Sequence, residues 1–210
     1  LVITSTFAFA VSNDKLPGHK ILMFLCIFTM LFNGGLVASY YVYSNIFHIK
    51  NTIWALIVPT FLMSPFNVVL VKNYFSNSIS PSILEAARMD GAGVFAVFTK
   101  IVMPLSVPIM ATVGLMTAIG YWNDWTNGLY YLTENGGSQY YTIQLVLNRI
   151  NENINFLANN SDVAAKAAQQ LPSTTMRMAI AVIGILPIMC AYPFFQKYFV
   201  KGITLGGVKE

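Results

Sequence analysis

The sequence predicts an all-α integral membrane protein, in which kinked transmembrane helices form one bundle over residues 1–210. Hydrophobic residues make up 56% of the 210-residue chain and charged residues 10%, whereas soluble domains carry about 25% charged residues. The mean hydropathy is +0.60. Uncharged runs long enough to cross a bilayer recur along the chain, and most of its prolines fall inside them. These observations together favour helices at membrane depth that proline bends.

Four runs without Asp, Glu, Lys or Arg predict complete transmembrane helices. They cover residues 21–43, 51–71, 101–123 and 178–196, and each approaches or exceeds the ~20 residues that span the hydrocarbon core. Residues 1–12 are also apolar and uncharged, at about half that length. They begin with no Met and carry no basic segment or cleavage site of a signal peptide. We therefore expect them to be the end of a truncated span, with the N-terminal part missing.

Prolines inside these runs predict bent helices. Six lie there: Pro59, Pro65, Pro104, Pro108, Pro187 and Pro193. Each removes a backbone donor, and the freed carbonyls need neighbouring helices, hydroxyls or water at membrane depth. The pattern fits kinked helices around a cavity and irregular packing without one equally well.

The positions of Lys and Arg predict which loops face the cytoplasm, because basic residues are retained on that side near helix ends. If residues 13–20 are cytoplasmic, eight of the 12 basic residues lie inside, namely Lys15, Lys20, Lys72, Arg88, Lys100, Lys197, Lys201 and Lys209. The four outside are Lys50, Arg149, Lys166 and Arg177. The reverse orientation would place the excess outside. The net charge of +4 then reflects a cytoplasmic face against anionic lipid rather than a nucleic-acid partner.

The longest polar segment, residues 124–177, is external in this orientation. A turn at a loop tip is predicted at Glu134, Asn135, Gly136, Gly137 and Ser138. Residues 141–150 predict an amphipathic helix on the outer surface, because apolar side chains recur at helical spacing. These side chains are Ile143, Val146, Leu147 and Ile150.

The charged segment 80–103 begins with a helix start signal. Ser80 can cap a helix that has Pro81 in its first turn, or Ser82 and Glu85 can form a capping box. In either case the helix runs to about Asp90.

Two glycines predict a turn after this helix. Gly91 and Gly93 supply the permissive backbone that ends a helix, and a second helix is predicted from Val94 to Met103. On the predicted orientation this helix, turn and helix lie on the cytoplasmic side.

This segment closely resembles the coupling loop of binding-protein-dependent ABC importer permeases with a type I transmembrane domain. The family pattern, the EAA motif, is Glu-Ala-Ala, Gly four residues after the second Ala, Ile ten later, then Leu-Pro. The matching residues are Glu85, Ala86, Ala87, Gly91, Ile101 and Pro104, with Met103 in place of Leu. The carbohydrate-uptake branch is also resembled at Asp90-Gly91-Ala92, Pro104-Leu105-Ser106-Val107-Pro108, Tyr121-Trp122-Asn123, Gln196 to Gly202 and Gly206-Gly207-Val208-Lys209. The resemblance covers essentially the whole chain.

The resemblance implies a permease subunit of an ATP-driven carbohydrate (oligosaccharide) importer in the bacterial plasma (inner) membrane. Its coupling helix would meet the ATPase through Glu85, Ala86, Ala87, Asp90, Gly91, Ala92, Ile101 and Pro104. The implied partners are a second, different permease, two ATPase subunits and an extracellular or periplasmic sugar-binding protein. The chain has no G-x-x-x-x-G-K-[ST] segment that could cradle phosphates. We therefore expect no enzyme activity, cofactor or metal in this chain, with ATP and Mg bound by the partner ATPase.

The aromatic and polar residues at the outer end of the run 101–123 are candidates for the substrate path: Tyr121, Trp122, Asn123, Asp124 and Trp125. Rings stack on sugar faces while amides and carboxylates bind hydroxyls, although Trp and Tyr at this depth also serve as interfacial anchors. The tip residues 134–138 correspond to a loop that reaches into the binding protein in related permeases. A solvated turn without function is the alternative.

Two other function classes remain as alternatives. A secondary carrier or channel usually needs ionisable groups inside its spans, and the four complete runs contain none. A membrane-embedded enzyme needs convergent His, Cys or carboxylate groups, whereas His19 and His48 are predicted on opposite sides of the membrane.

Overall fold

The regular secondary structure of the computed structural model is helical throughout the residues that it describes, which are 1–14, 16–159 and 173–206. The helices are α1 Val2–Ser12, α2 His19–Leu31, α3 Gly35–Tyr41, α4 Trp54–Phe61, α5 Pro65–Ser78, α6 Pro81–Met89, α7 Val94–Val97, α8 Met103–Leu105, α9 Val107–Asn123, α10 Thr126–Tyr131, α11 Glu134–Gly137, α12 Ile143–Asn159 and α13 Ser173–Gly206. Wide π-type turns follow α3 and α7, at Val42–Ile46 and Phe98–Val102, and a 3-10 turn covers Ser138–Tyr140. The predicted all-α class is confirmed.

Some predictions concern residues outside these ranges. They are the basic residues Lys15, Lys166 and Lys209, the C-terminal Gly207 and Val208, and residues 160–172 of the predicted external segment.

The run 21–43, predicted as one helix, is two helices in the structure. Asn33 lies in the break between α2 and α3, and its Oδ1 accepts a hydrogen bond from the Gly35 N–H at 3.0 Å. Gly35 has a φ of 82°, a left-handed conformation that glycine adopts without steric cost. A side-chain turn and a permissive residue therefore end one helix and start the next.

Proline accounts for the breaks in two further runs. In the run 51–71, Pro65 takes the first turn of α5, and α5 continues to Ser78. In the run 101–123, Ser106 separates α8 from α9 and is flanked by Pro104 and Pro108. Each proline lacks the N–H that a continuous helix would need. The sequence predicted bends here, and the structure shows complete interruptions.

By length and composition, Thr175–Phe194 can cross a membrane as one helix, within the part of the chain that is described. Up to three spans result if two bent pairs each count as one, namely His19–Leu31 with Gly35–Ile46 and Val94–Leu105 with Val107–Asn123. The predicted span 178–196 lies inside α13. Which helices cross the bilayer, and in which direction, stays a prediction.

The chain divides into two compact units. The first comprises Leu1–Gly35, Thr60–Ala118 and the segment from Phe194 onward. In this unit α1 packs against α2 and α5. Its core consists of Ala8, Val11, Cys26, Val68, Val71, Phe75, Ile79, Val97, Phe98, Val102 and Val113. Because α6 and α7 follow directly on α5, the charged segment 80–103 is anchored to this core.

The second unit comprises Leu36–Pro59 and Ile119–Pro193. Its core brings Ala55, Tyr131 and Leu132 together, with Tyr40, Tyr43, Leu56, Tyr140 and Tyr141 packed around them. Most of the segment that was predicted as an external loop is therefore helical and packed.

The predicted amphipathic helix exists, but its buried face differs from the prediction. It runs from Ile143 to Asn159, and the fully buried side chain is Leu145, which lies off the predicted stripe. Leu147 is also buried, whereas Ile143 and Val146 are exposed. Leu145 contacts Gly128 of α10, so packing within the unit decides which apolar residues are inside.

Candidate functional site

The turn after α6 has the geometry that its glycine predicts. Gly91 has a φ of 80°. The Ala92 N–H donates to the Ala87 carbonyl at 2.9 Å, and the Gly91 N–H donates to the Arg88 carbonyl at 3.1 Å. These two bonds form a Schellman motif, which satisfies carbonyls at a helix end. Gly93 has a φ of −68°, which any residue can adopt, so only Gly91 is required by conformation.

The start of α6 matches the first predicted arrangement in position but lacks its side-chain cap. Ser80 is the N-cap residue and Pro81 occupies the first turn, but no side chain caps the helix. The Ser80 and Ser82 hydroxyls instead lie 2.7 Å apart in a hydrogen bond. Glu85 therefore does not act as a capping-box partner, and its carboxylate is left exposed.

The helix α6 has an inner and an outer face. Leu84 and Ala87 pack against the core of the first unit. Ile83, Ala86 and Met89 lie on the exposed face, where Met89 is 88% exposed. The two alanines of the predicted motif thus differ in exposure. Ala86 is exposed to solvent, whereas Ala87 packs against the core of the first unit.

The second arm of the segment adds exposed apolar side chains. Val94 is 68% exposed and Phe95 is 77% exposed, whereas Val97 and Phe98 are buried in the core. We call the five exposed residues Ile83, Ala86, Met89, Val94 and Phe95 the docking surface.

A cavity of about 250 Å³ lies beneath α6. Its apolar wall includes Phe9 and Phe75, and its polar wall includes Asp14, Glu85 and Arg88. Glu85 and Arg88 therefore border both solvent and the junction of α6 with the α1 end.

The remaining motif residues lie where the second helix changes its geometry. Pro104 is in the first turn of α8, where it cannot donate to the Lys100 carbonyl and its ring crowds that carbonyl. The preceding turn, which contains Ile101, is a π-type turn. Ser106 follows, fully buried, and its hydroxyl has no hydrogen-bond partner within the described chain. The family motif thus ends at a helix break.

Two of the substrate-path candidates bond to remote parts of the second unit. The Tyr121 hydroxyl donates to the Ile57 carbonyl at 3.3 Å, and the Trp122 Nε1–H donates to the Gly184 carbonyl at 2.9 Å.

Both carboxylate oxygens of Asp124 accept hydrogen bonds from the first turn of α10. One carboxylate oxygen accepts from the Thr126 and Asn127 N–H groups, each at 3.1 Å, and the other accepts from Asn127 Nδ2 at 2.8 Å. Asn123 and Trp125 are the exposed members of the candidate set.

The predicted loop tip is a single helical turn, α11, that packs on Asn51. Asn51 Oδ1 accepts from the Thr133 N–H at 2.7 Å and from the Thr133 hydroxyl at 3.1 Å. Its own N–H donates to the Tyr131 carbonyl at 3.0 Å. A Cβ on Gly137 would lie 2.7 Å from Asn51 Oδ1. The tip is therefore held in place on its inner side, while Glu134, Asn135, Gly136 and Ser138 are exposed.

Sequence reasoning missed Asn51. Its φ of 60° is a conformation that Asn tolerates better than most residues, so an Asn as the first residue of the predicted run 51–71 was the available signal. The contact with Thr133 is remote in sequence and has no local signature.

A tyrosine cluster lies beside this anchor. Tyr40 stacks on Tyr131 with ring centroids 5.8 Å apart, and Tyr43 meets Tyr131 edge to face at 6.0 Å. The Lys50 ammonium donates to the Tyr40 hydroxyl at 2.9 Å. Burial, with smaller contributions from Tyr43 and Tyr40, raises the pKa of Tyr131.

Several known proteins are similar to this chain. Residues 2–205 match the family described as binding-protein-dependent transport system inner membrane component. The chain is 36% identical over 209 residues to Protein LplC of Bacillus subtilis strain 168, covering 100% of this chain and 68% of that protein. It is also 36% identical over 209 residues to the polygalacturonan/rhamnogalacturonan transport system permease protein YtcP of the same strain, covering 100% and 71%.

One solved structure is also similar to this chain. It is the crystal structure of a bacterial ABC transporter involved in the import of the acidic polysaccharide alginate. One of its chains matches with a TM-score of 0.75 and 30% identity, covering 94% of this chain and 69% of that chain.

Proposed function

Because this chain belongs to the family of binding-protein-dependent transport system inner membrane components, we propose that it is a permease subunit of an ATP-driven carbohydrate importer. On this proposal two separate ATPase subunits bind and hydrolyse ATP with Mg. A second, different permease completes the pathway, and an external sugar-binding protein delivers the substrate. The complex lies in the bacterial plasma membrane.

The observation that carries the proposal is the mixed character of the docking surface. Met89 and Phe95 are among the most exposed apolar side chains of the chain, and exposed apolar patches mark interaction sites. Yet Glu85, Arg88 and Asp90 are exposed on the same helix and turn. Charged side chains are costly within hydrocarbon, so the partner of this surface is a protein in water rather than lipid.

The outer side of α13 provides a contrast. Met178, Val182, Ile185 and Met189 are exposed there, and residues 178–194 contain no charged side chain. Such a surface suits lipid. These two surfaces are therefore distinguished by their charged neighbours, and of the two the docking surface is the one that suits an ATPase.

The inner face of α6 provides a route for movement. Leu84 and Ala87 pack on the core that α1 and α5 share, and close-packed interiors transmit displacement with little compression. If ATP-driven closure of the ATPases shifts α6, we expect the helices of this core to move with it. This movement would alternate access to the substrate between the two sides of the membrane.

The docking assignment is tested by placing a charged side chain on the outer face. Ala86→Arg adds a long cation to an exposed position, so the chain itself should fold normally. The matched control is Asn77→Arg, which adds the same side chain at an exposed position near the end of α5. In the assembled transporter, we expect Ala86→Arg to reduce ATPase co-purification and transport at least tenfold, whereas Asn77→Arg leaves both near wild type. Full ATPase binding and transport by Ala86→Arg would overturn the assignment.

Variants at two neighbouring residues distinguish docking of the ATPase from transmission of its movement into the permease. Ile83 faces out and Leu84 faces in. We expect Ile83→Ser to weaken ATPase binding while the thermal stability of the permease is unchanged. Leu84→Ala removes the contacts of a half-buried side chain. We expect it to lower the free energy of unfolding by about 1–2 kcal/mol, less than for a fully buried leucine, and to reduce transport per ATP hydrolysed by the ATPase that remains bound. Identical effects of the two variants would argue against distinct faces.

For substrate contact, we propose Asn123 and Trp125 as the members of the predicted set that are free to face a sugar. Two of the proteins compared above are named for polygalacturonan/rhamnogalacturonan and alginate, so acidic oligosaccharides are the first substrates to test. Trp125→Ala should reduce uptake of a labelled oligosaccharide at normal expression, and Trp54→Ala, an exposed Trp outside the set, serves as control. Equal uptake by both variants would remove Trp125 from the path.

We also propose that the α11 tip contacts the binding protein through Glu134, Asn135, Gly136 and Ser138. Gly137 then has a supporting role, because it is buried against Asn51. Replacing Asn135 and Ser138 with larger side chains should leave assembly intact and lower the ATPase stimulation by the binding protein. Unchanged stimulation would count against this contact.

A further inference from the structure

A groove of about 400 Å³ lies between α2 and α5 in the first unit. Its basic side chains are Lys20, near the start of α2, and Lys72, on α5. Its apolar wall is formed by Met23, Phe24 and Ile27 along α2. The volume falls within the range of about 300–1,000 Å³ that is usual for ligand pockets.

The two lysines come from separate runs of the sequence. Lys20 immediately precedes the uncharged run 21–43, and Lys72 immediately follows the run 51–71. The sequence therefore predicts both ammonium groups at the same cytoplasmic interface, and the structure brings them to one groove. Neither ammonium lies within 4.0 Å of a carboxylate in the described residues.

The other titratable groups of the groove leave this positive charge largely uncompensated. Asp14 is the acidic lining residue, but its carboxylate lies 3.6 Å from His19 Nε2 and its side chain is 97% exposed. Its side chain is therefore almost fully in solvent, where water and salt screen its charge. The groove thus combines two cations with an apolar wall that extends away from them along α2, where Phe24 is 64% exposed.

We propose that this groove binds one anionic glycerophospholipid of the cytoplasmic leaflet. The phosphate would lie between Lys20 and Lys72, and an acyl chain would lie along Met23, Phe24 and Ile27. Lysines near a membrane surface attract anionic lipid, and basic pockets between helices at the cytoplasmic side suit anionic headgroups. A zwitterionic phospholipid brings its own cation, so it would compete poorly for the same position.

The test uses the full transporter reconstituted in vesicles of phosphatidylcholine and phosphatidylglycerol in equal parts. A phosphatidylglycerol with a photoreactive group on one acyl chain is cross-linked, and the labelled peptides are mapped by mass spectrometry. The variants are Lys20→Gln with Lys72→Gln, the arginine pair at the same positions, and Lys100→Gln as a control on the same predicted side. A parallel arm uses photoreactive phosphatidylcholine, and another adds free glycerol phosphate as competitor.

We expect phosphatidylglycerol to label the peptide containing Met23, Phe24 and Ile27 at least fivefold more than phosphatidylcholine does. The glutamine pair should lose that preference, while the arginine pair and Lys100→Gln retain it. Free glycerol phosphate should leave the labelling unchanged, because it lacks the acyl chain. Four results would each overturn the proposal. Two concern the amount of labelling: equal labelling by both lipids, or equal labelling of the glutamine pair and Lys100→Gln. The other two are displacement of the lipid by glycerol phosphate, and no labelling because protein covers the groove.

Discussion

The turn at Gly91 gives the sharpest test of the helix, turn and helix in the segment 80–103. Gly91 has a φ of 80°, and a Cβ added there would meet nothing within 4 Å. Any cost of Gly91→Ala is therefore backbone strain alone, which amounts to about 1–2 kcal/mol for an L-residue in the left-handed region. Gly93 also has open space around it, but its φ is −68°. Gly93→Ala should be close to neutral, because the smaller freedom of alanine in the unfolded chain is offset by its weaker preference for the N-cap position that Gly93 holds in α7.

Amide hydrogen exchange of the purified transporter measures this difference locally. The Ala92 N–H donates to the Ala87 carbonyl in the turn. Strain of about 1–2 kcal/mol should speed exchange of peptides covering the turn by about 5–30-fold in Gly91→Ala. Gly93→Ala should leave the exchange rate close to that of wild type. Gly91→Asn should fall between wild type and Gly91→Ala, because Asn visits this conformation more readily.

The comparison is decisive because the same substitution is strained at Gly91 and unstrained at Gly93. If Gly91→Ala and Gly93→Ala exchange alike, the left-handed turn is not a constraint on this segment and the Schellman geometry is refuted. If Gly91→Asn is slower to exchange than wild type, the positive φ is also contradicted. A second measurement, transport per ATP hydrolysed, should fall only in Gly91→Ala.

Three further predictions concern the second unit. Asn51→Ala should lower the free energy of unfolding by about 1–3 kcal/mol, because it leaves the Thr133 donors unpaired, and should expose the α11 tip to protease. Protease resistance equal to that of wild type would contradict this. Asn51→Gly isolates the side-chain contribution, because glycine adopts a positive φ without strain. Gly128→Ala places a Cβ 2.8 Å from Leu145 Cδ2 and should lower the free energy of unfolding by about 1–3 kcal/mol in thermal unfolding. In a double-mutant cycle, Leu145→Val should relieve that loss. Additive effects of the two substitutions would exclude the clash. Trp122→Phe should lower the free energy of unfolding by about 0.5–1.5 kcal/mol, because it removes the hydrogen bond to the Gly184 carbonyl. Gly184→Ala keeps that carbonyl and serves as the tolerated control. An unchanged unfolding temperature in Trp122→Phe would rule the bond out as a stabilising contact.

The sequence predicted the features that have local causes. Composition indicated the membrane class, and Gly91 indicated the turn because few other residues adopt a positive φ without strain. Asp124 could have been assigned as well, since an Asp before Thr126 and Asn127 is a familiar acceptor for the N–H groups of a first helical turn.

Features with remote causes escaped prediction. That Ala87 faces the core and Ala86 faces out depends on where α1 and α5 lie, which the Glu-Ala-Ala spacing does not contain. Asn51 binds Thr133 across a separation of 82 residues, so no local window includes both. The choice of Leu145 as the buried residue of α12 likewise depends on the space beside Gly128.

The helix break at Ser106 bears on how movement can pass beyond α6. A continuous helix from Val94 into α9 would behave as a rigid lever, but the π-type turn at Phe98–Val102 and the break at Ser106 remove that continuity. The hydrogen bond from the Tyr74 hydroxyl to the Leu105 carbonyl at 3.2 Å instead ties this point to α5. On the proposed mechanism, a displacement of α6 would therefore reach the neighbouring helices through side-chain packing and this bond rather than along one helix axis. A permease that must rock without breaking its own core benefits from such a joint, because α9 can change direction at Ser106 while Leu84 and Ala87 keep their contacts.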